Sequence, residues 1–507
     1  MTTDELRRAA AGALIVGFAG TTAPDALRRA VAQGLGGVVL FTRNVRDAGR
    51  LTALTASLRA ERPDLLIAID HEGGEFSHLS SVDEWPLASP RCLGDLDDTD
   101  LTRASARDAA RLLAGLGIDV MLAPSVDVNS NPANPIISTR SFGTTPALVS
   151  RHGAAFIAGV HDAGIAACAK HFPGHGDVAV DSHLALPYVD RWAEEVAAVE
   201  LPPFAAAVAA GVDLVMSAHI VYTDYDTVPA TLSRRLLTGL LREELGFTGV
   251  ITTDALEMRG ITGTRTIEQA VAESVAAGAD LAMVAIADAD PAGLTAALVD
   301  AVGSGSLAAE RLADAAERVR RLGARLSSYN FSSPSGEKSH PAPDDVPRTQ
   351  PYLDAPGAAV REVARRVVAG QRPAACGPAS YVVDLAQPVH PGWFPYFDGL
   401  PEIFAAASPA AGGVVLRDDD PAALDRALEV AAGRPLVVAV QDAVRTPWMA
   451  AGLRRLTSGH GGPVVVLCTG IGEDRALVPD GVPAVLTGGR NLVVLRAVAE
   501  AIVRENG

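Results

Sequence analysis

The chain has 507 residues, of which 48% are hydrophobic and 20% charged, and its length is that of a protein with about two to four domains. This composition excludes a wholly disordered chain and a small disulfide-rich protein. The formal net charge of −17 argues against a protein that binds nucleic acid or anionic membranes through a basic surface.

The cysteines and the hydropathy of the chain bear on where the protein resides. No two of the four cysteines stand at metal-ligand spacing, which indicates thiols in a reducing compartment. No apolar run reaches the roughly 20 residues that cross a bilayer. Residues 7–20 resemble parts of a secretory signal, but Asp4 and Glu5 interrupt its positive region and the fold needs the apolar part as a strand. We therefore expect a cytoplasmic protein.

Short apolar segments alternate with helical segments up to about residue 327. Each apolar segment lacks polar alternation, as expected for strands of a parallel sheet covered on both faces. Eight such units predict a (β/α)8 TIM-type barrel over 1–327, with a doubly wound open sheet as the alternative. The apolar segments are 13–20, 36–44, 65–74, 118–128, 164–172, 213–221, 248–256 and 279–287, and the helical segments include 23–33, 202–211 and 233–246.

Polar residues at the ends of the predicted strands favour the barrel over the open sheet. Six of the eight segments finish in ionisable or hydrogen-bonding side chains, among them Asp70, Asp127, Lys170 and Asp254. In a barrel the carboxyl ends of all strands open onto one face, where active sites lie. In an open sheet only the ends near the switch point could converge.

The chain changes character after the predicted barrel. Residues 328–356 are rich in serine, proline and charge and lack apolar periodicity, which predicts a linker. Apolar segments return at 379–386, 412–418, 434–443, 462–471 and 482–489. We therefore expect a second, smaller α/β layered domain over 357–507, with helices on both sides of its sheet. This domain contains neither a glycine-rich phosphate loop nor an evident catalytic cluster.

The segment KHFPGHGDVAVDSH, residues 170–183, is the strongest candidate for chemistry. It contains three of the 11 histidines, and its proline and glycines predict a loop at the open face of the barrel. One interpretation is a hydrogen-bonded loop without a chemical role. A second is a metal site of His171, His175 and Asp177, which is disfavoured because the HxxxH spacing serves a metal on a helix. The third is acid/base catalysis.

The acid/base interpretation rests on Asp181 and His183. A carboxylate that accepts one ring N–H of a histidine fixes the tautomer and raises the basicity of the other nitrogen. Such a pair can protonate a leaving group and later activate an acceptor near neutral pH.

Asp254 is a second candidate, because it follows the β-branched run VITT at the end of the seventh predicted strand. The alternative is an aspartate that caps the next helix. Its predicted position on the same face as the histidine loop favours chemistry, since an ionised aspartate facing an anomeric carbon can form a covalent glycosyl intermediate.

Seven segments together resemble the successive signatures of glycoside hydrolase family 3, in its β-N-acetylglucosaminidase branch. The resemblance runs in the correct order from about residue 11 to 325, and the histidine segment and the GF-x-G-V-x-x-x-D segment are the most specific. The segments are LFTRN, IDHEGG, NPIISTRSF, KHFPGHGDVAVDSH, MSAHIVY, PATLS and LREELGFTGVITTDALEMRGI.

The resemblance implies a role for individual residues. Asp254 matches the nucleophile of the family, and Asp181 and His183 match the dyad that serves this branch as acid/base. The implied sugar-binding residues are Asp70, Arg140, Lys170, His171 and, at the pocket wall, Arg43. The resemblance also implies that His175 shapes the loop rather than reacts.

The sequence departs from the branch at one motif. The usual D-Q-E-G-G-R-V is here Asp70-His71-Glu72-Gly73-Gly74-Glu75-Phe76, so that histidine replaces glutamine and glutamate replaces arginine. Loss of a cation near the pocket mouth predicts poorer acceptance of an anionic, muropeptide-like aglycone than of chitobiose or aryl glycosides.

The sequence therefore predicts a retaining exo-β-N-acetylglucosaminidase that acts on small saccharides and requires neither metal nor organic cofactor. A phosphorylase with inorganic phosphate as acceptor, a β-glucosidase of dual specificity and a catalytically silent sugar-binding protein remain alternatives. A nucleotide-dependent oxidoreductase is disfavoured because no G-x-G-x-x-G follows the first strand. No nucleic-acid or membrane partner is expected, and a homodimer is left open.

Overall fold

The structure is a computed structural model that describes residues 1–83, 86–179, 186–330, 357–386 and 399–504. Its first part contains eight parallel strands in one sheet, in the order β7-β6-β5-β4-β3-β2-β1-β8. The strands are β1 (Leu14–Val16), β2 (Gly37–Leu40), β3 (Leu66–Ile69), β4 (Val120–Met121), β5 (Ala166–Phe172), β6 (Leu214–Ser217), β7 (Val250–Thr253) and β8 (Ala282–Val284).

Helices surround this sheet and connect its strands. They are α1 (Thr3–Gly12), α2 (Asp25–Ala32), α3 (Ala48–Glu61), α4 (Pro90–Leu96), α5 (Thr99–Gly115), α6 (Pro146–Asp162), α7 (Ala193–Val199), α8 (Leu201–Ala209), α9 (Arg259–Thr262), α10 (Ile267–Ala277), α11 (Pro291–Ser304) and α12 (Ala309–Asn330). Between β6 and β7 the chain forms a π-helical segment, Arg235–Glu244. The predicted helix at 233–246 is therefore present but more loosely wound than an α-helix.

Contacts between β7 and β8, the two strands at the ends of this spatial order, close the sheet into a barrel. The backbone N–H of Leu281 donates to the carbonyl of Ile251 at 3.1 Å, and the N–H of Thr253 donates to the carbonyl of Leu281 at 3.1 Å. These bonds join β7 to the chain entering β8, which rules out the open-sheet alternative. The predicted barrel is confirmed, and the 13–20 segment does supply its first strand.

The apolar strands bury both of their faces, as their composition predicts. In β2, Val39 packs into the barrel interior, whereas Val38 and Leu40 on either side pack against the surrounding helices. Side chains of α12 close the floor of the barrel at the amino ends of the strands. Since the floor is filled, only the carboxyl ends leave an open face.

The C-terminal domain contains a five-stranded parallel sheet in the order β10-β9-β11-β12-β13. Helices cover both faces, so the predicted layered domain is confirmed. The elements are β9 (Tyr381–Leu385), β10 (Gly412–Leu416), β11 (Leu436–Val440), β12 (Val464–Cys468), β13 (Ala484–Leu486), α13 (Ala358–Gln371), α14 (Leu400–Ala407), α15 (Pro421–Ala431), α16 (Pro447–Gly459) and α17 (Leu492–Ile502). Of the predicted linker, residues 331–356 lie outside the described residues, and 328–330 belong to α12.

The carboxyl edge of this second sheet faces the open end of the barrel. Beyond β13, the side-chain amide of Asn491 donates to the carbonyls of Pro86 and Leu87 at 2.9 and 3.0 Å, and Gly488 accepts a hydrogen bond from Ser89. The two domains are therefore joined next to the loops that form the barrel's mouth. In the described part of the chain, no helix is both long and apolar enough to cross a membrane.

Candidate active site

A pocket of about 570 Å³ opens at the carboxyl ends of the barrel strands. Its size is within the range of small-molecule sites. Every sugar-binding residue implied by the resemblance lines it, and so does Asp254. The principal lining residues are Phe41, Arg43, Asp70, Phe76, Arg140, Lys170, His171, Met216, Asp254, Glu257 and Met283.

Asp254 follows β7 directly and is held by the backbone on both sides. Its N–H donates to the carbonyl of Ser217 at 3.3 Å, and its carboxylate accepts the N–H of Ala255 at 2.7 Å. The next helix, α9, begins at Arg259 with Met258 as its N-cap residue. The helix-capping alternative is therefore wrong, and the carboxylate lies half-buried in the pocket wall.

Lys170 joins two carboxylates at the base of the pocket. Its ammonium lies 2.5 Å from Asp70 and 2.6 Å from Glu72, and its side chain is fully buried. Burial acts to lower the pKa of Lys170, but the two carboxylates raise it above its ordinary value. The lysine is therefore a fixed cation, and Asp70 remains the more exposed member of the group, able to accept hydrogen bonds from a ligand.

Arg140 forms a two-pronged ion pair with Glu72. Its Nε and Nη2 donate to the two carboxylate oxygens at 2.8 and 2.7 Å, and its guanidinium stacks 3.9 Å above the ring of Phe76. Although burial acts to raise it, Arg140 and Lys170 together lower the pKa of Glu72 to about 2. Glu72 therefore stays ionised and orients both cations toward the pocket.

His171 is oriented by Asp127, which follows β4. The ring Nδ1 lies 2.7 Å from the Asp127 carboxylate, and Nη2 of Arg140 lies 3.2 Å from Nε2. Since arginine can only donate, this network assigns the proton to Nδ1. Asp127 also accepts the backbone N–H of His171 and of His175 at 3.0 and 2.7 Å. Despite burial, His171 holds the pKa of Asp127 well below its usual range.

Arg43 supports the pocket wall opposite these residues. It donates from Nε to the carbonyl of Phe18 at 2.9 Å and from Nη2 to that of Ala285 at 2.5 Å, and it stacks on Phe41. The side chain thus ties together the loops after β1 and β8. Arg43 does line the pocket, while its described hydrogen bonds go to the backbone.

Asp181 and His183 of the predicted dyad lie outside the described residues. The preceding part of the histidine loop is anchored at several points. The hydroxyl of Tyr222 donates to the carbonyl of Gly174 at 2.5 Å, and the φ of +150° at Gly174 with Glu200 close below it disfavours any side chain there. His175 is buried, and burial lowers its pKa to about 4, so that it is neutral.

The suggested metal site is not assembled. The Asp177 carboxylate pairs with Arg191 at 2.9 Å, whereas the rings of His171 and His175 lie near Asp127. Within the described ranges, no group of three or more histidine, cysteine, aspartate or glutamate side chains is arranged to hold a metal.

The two residues that depart from the family motif do not line the pocket. His71 is fully buried and lies 2.6 Å from the hydroxyl of Ser77. Glu75 accepts a hydrogen bond of 2.6 Å from Gln441 of the C-terminal domain, beside the Arg490 guanidinium. The Glu75 side chain therefore belongs to the contact between domains and does not line the pocket, and the poorer acceptance of an anionic aglycone stays a prediction.

The environment of Glu75 predicts a pH-dependent stability. Burial raises the pKa of Glu75 to about 7, so the folded protein loses stability as pH rises from about 4.5 to 7. Glu75→Gln keeps the acceptor for Gln441 and removes the buried charge. Between pH 5 and pH 8, the free energy of unfolding of the variant should rise relative to that of the wild type by about 1–3 kcal/mol. The melting temperatures of the two proteins at both pH values measure this change. Exposed Glu429→Gln is the control, and an equal difference at both pH values would contradict the prediction.

Four acidic or basic groups at the site were given no role by the sequence. Glu72 and Asp127 were visible only as polar residues near strand ends. Glu257 lies three residues after Asp254 and accepts the N–H of Ala285 at about 3.0 Å, and burial raises its pKa. His78 contacts the hydroxyl of Thr42 at 3.0 Å, and burial lowers its pKa to about 4.

A barrel closed at its floor, with an aspartate and a cluster of charged, hydrogen-bonding side chains at its mouth, is the arrangement expected of a carbohydrate-active enzyme. The sequence profile of the glycosyl hydrolase family 3 N-terminal domain matches residues 18–322. The chain belongs to glycoside hydrolase family 3.

Several relatives resemble this chain. Beta-hexosaminidase A of Pseudoalteromonas piscicida is 34% identical over 358 residues, which are 63% of this chain and 59% of that protein. A beta-hexosaminidase of Idiomarina loihiensis is 37% identical over 278 residues, 54% of this chain and 83% of that protein. The structure of a family 3 beta-N-acetylglucosaminidase from Paenibacillus sp. str. FPU-7 matches with a TM-score of 0.84 and 28% identity, over 97% of this chain and 95% of that one. The chain thus spans about three-fifths of the length of the Pseudoalteromonas relative.

Proposed function

We propose that this protein is a retaining exo-β-N-acetylglucosaminidase that removes terminal β-linked N-acetylglucosamine. One observation carries the proposal: Asp254 shares a single pocket with Asp70, Lys170, Arg140 and His171. Two further facts support it, namely membership of family 3 and the names of the relatives.

The polar cluster supplies the contacts that a terminal sugar needs. Asp70 accepts hydrogen bonds from hydroxyl groups, while Lys170 and Arg140 donate to sugar oxygens. Because Glu72 neutralises one of the two buried cations and Asp70 the other, the pocket fits a neutral sugar better than an anion. Apolar walls such as Met216 and Met283 suit the less polar face of the ring and a methyl group.

The mechanism uses a covalent intermediate. The Asp254 carboxylate attacks the anomeric carbon as the bond to the leaving oxygen breaks, and His183, oriented by Asp181, donates its proton to that oxygen. Neutral His183 then takes a proton from water, whose oxygen displaces Asp254 and releases the sugar with its configuration retained. No metal or organic cofactor takes part.

A panel of aryl β-glycosides, assayed with and without inorganic phosphate, tests the function. We expect the N-acetylglucosaminide to be hydrolysed at least about tenfold faster, in kcat/KM, than the glucoside, with the β-anomer of free sugar as first product by NMR. Phosphate should leave the product unchanged.

The other outcomes identify the alternatives. A sugar 1-phosphate as main product would identify a phosphorylase, and equal use of both glycosides would identify an enzyme of dual specificity. Saturable binding of N-acetylglucosamine without turnover of any glycoside would identify a sugar-binding protein.

A further inference from the structure

The loop that carries Arg140 adopts a conformation that needs support. Residues 129–141 follow β4, and a short 3₁₀ turn, Ser138–Arg140, ends the loop at the pocket. Ser138 is fully buried and has a φ of +43°, in the left-handed region that residues with a side chain rarely occupy. Such a conformation persists only where the surrounding structure holds it.

The group that holds Ser138 comes from the other domain. The Ser138 hydroxyl lies 3.0 and 3.2 Å from the two carboxylate oxygens of Asp442, which follows β11. Asp442 is itself buried, pairs with Arg445 and accepts the N–H of Ile471 at 3.3 Å. A hydrogen bond to an ionised carboxylate is stronger than one between neutral groups. Ser138 is thus anchored to the turn that follows β11 in the C-terminal domain.

The turn after β11 that contains Asp442 and Arg445 makes a second contact, which bears on the histidine loop through Asn134. Arg445 donates to the backbone carbonyl of Asn134. The side-chain amide of Asn134 in turn donates to the carbonyl of His175 at 2.7 Å, and its oxygen accepts the N–H groups of Ile136 and Ile137, each at 2.9 Å. The turn after β11 therefore contacts the loop of Arg140 directly, at Ser138 and Asn134, and it reaches His175 of the histidine loop only through Asn134.

We propose that Asp442 and Arg445 are positioning residues, through which the C-terminal domain sets the placement of Arg140 and of the histidine loop. Neither residue lines the pocket, so each acts through Ser138 or Asn134. The proposal rests on the proposed function only in assigning Arg140 to the sugar. A displacement of about 1 Å in a binding group can cost about 10²-fold in rate.

Kinetics of Ser138→Ala and Asp442→Ala test this role. Each variant should lower kcat/KM by about 10–100-fold, mainly through KM, on whichever aryl glycoside the wild type turns over. Because both remove the same contact, the double variant should be no slower than the worse single variant. Asp442→Asn should keep most of the wild-type kcat/KM, since its amide oxygen still accepts a hydrogen bond from Ser138. Arg366→Ala is the matched control, because it removes the ion pair with Asp98 between the same domains at another place.

Two further readouts separate positioning from general loosening. In an Arg140→Met background, Ser138→Ala should have no further effect on kcat/KM. Hydrogen exchange of a peptide covering 129–141 should rise in Ser138→Ala and Asp442→Ala but not in Arg366→Ala. Unchanged exchange, an equal rise in the control, or a full Ser138→Ala effect without Arg140 would each overturn the proposal. Hydrogen exchange needs no substrate. A wild type without N-acetylglucosaminidase activity would therefore refute the proposed function, whereas the exchange of residues 129–141 would still decide whether Asp442 positions this loop.

Discussion

Asp254→Ala is expected to reduce kcat by about 10⁴-fold or more while leaving the fold intact. The reason is that the variant lacks the carboxylate that forms the covalent bond, whereas its backbone contacts with Ser217 remain. The measurement is steady-state hydrolysis of an aryl β-N-acetylglucosaminide, together with the melting temperature. Azide, a small anionic nucleophile that fits the space left by the carboxylate, should restore part of the rate and yield an α-glycosyl azide.

Asp64→Asn provides the control for this variant, because Asp64 is paired with Arg62 at the opposite end of the barrel. It should retain wild-type kinetics. Full activity of Asp254→Ala, or a β-configured azide product, would contradict the role of Asp254.

The second large effect is expected from Glu72→Gln. Glu72 is fully buried and is the shared partner of two buried cations, Arg140 and Lys170. Removing its charge leaves those cations undercompensated, and breaking a buried ion pair from one side costs about 3–5 kcal/mol. The variant should therefore unfold at a much lower denaturant concentration and bind substrate poorly.

The measurements are chemical unfolding and kcat/KM of Glu72→Gln, and Glu61→Gln is the control variant. Glu61 pairs with Arg28 on the surface, where such a pair contributes about 1 kcal/mol or less. Because the pKa of Glu72 is lowered to about 2, its contribution to the free energy of unfolding is complete above about pH 4.5 and is lost as pH falls toward 2. Equal stability of the two variants at neutral pH would contradict the account of the Glu72 pair.

The sequence predicts the part of the site that depends on strand ends. Asp70, Lys170 and Asp254 each stand at or just beyond the end of an apolar segment, and the carboxyl ends of barrel strands necessarily share one face. Eight apolar segments therefore suffice to bring these side chains to one pocket. The five segments after residue 357 predict the second sheet for the same reason, since a buried parallel strand is apolar throughout.

What the sequence does not predict are the partners of these residues. Glu72 and Asp127 differ from other polar residues near strand ends only in the side chains that they contact in the folded protein. Glu75 contacts Gln441, which is 366 residues away in the chain, so a local motif could not reveal that its side chain lies in the contact between domains. The contact of Ser138 with Asp442 joins residues 304 positions apart in the chain and depends on how the domains dock. Helical periodicity likewise cannot distinguish the π-helical segment from an α-helix.

Covalent trapping tests the central claim most directly. A 5-fluorinated N-acetylglucosaminyl substrate with a good leaving group slows both steps, because fluorine destabilises the oxocarbenium-like transition state, and the intermediate then accumulates. After proteolysis and mass spectrometry, we predict a single glycosylated peptide with the sugar on Asp254. A label on any other residue, or a turnover-competent enzyme that accumulates no label, would contradict the account.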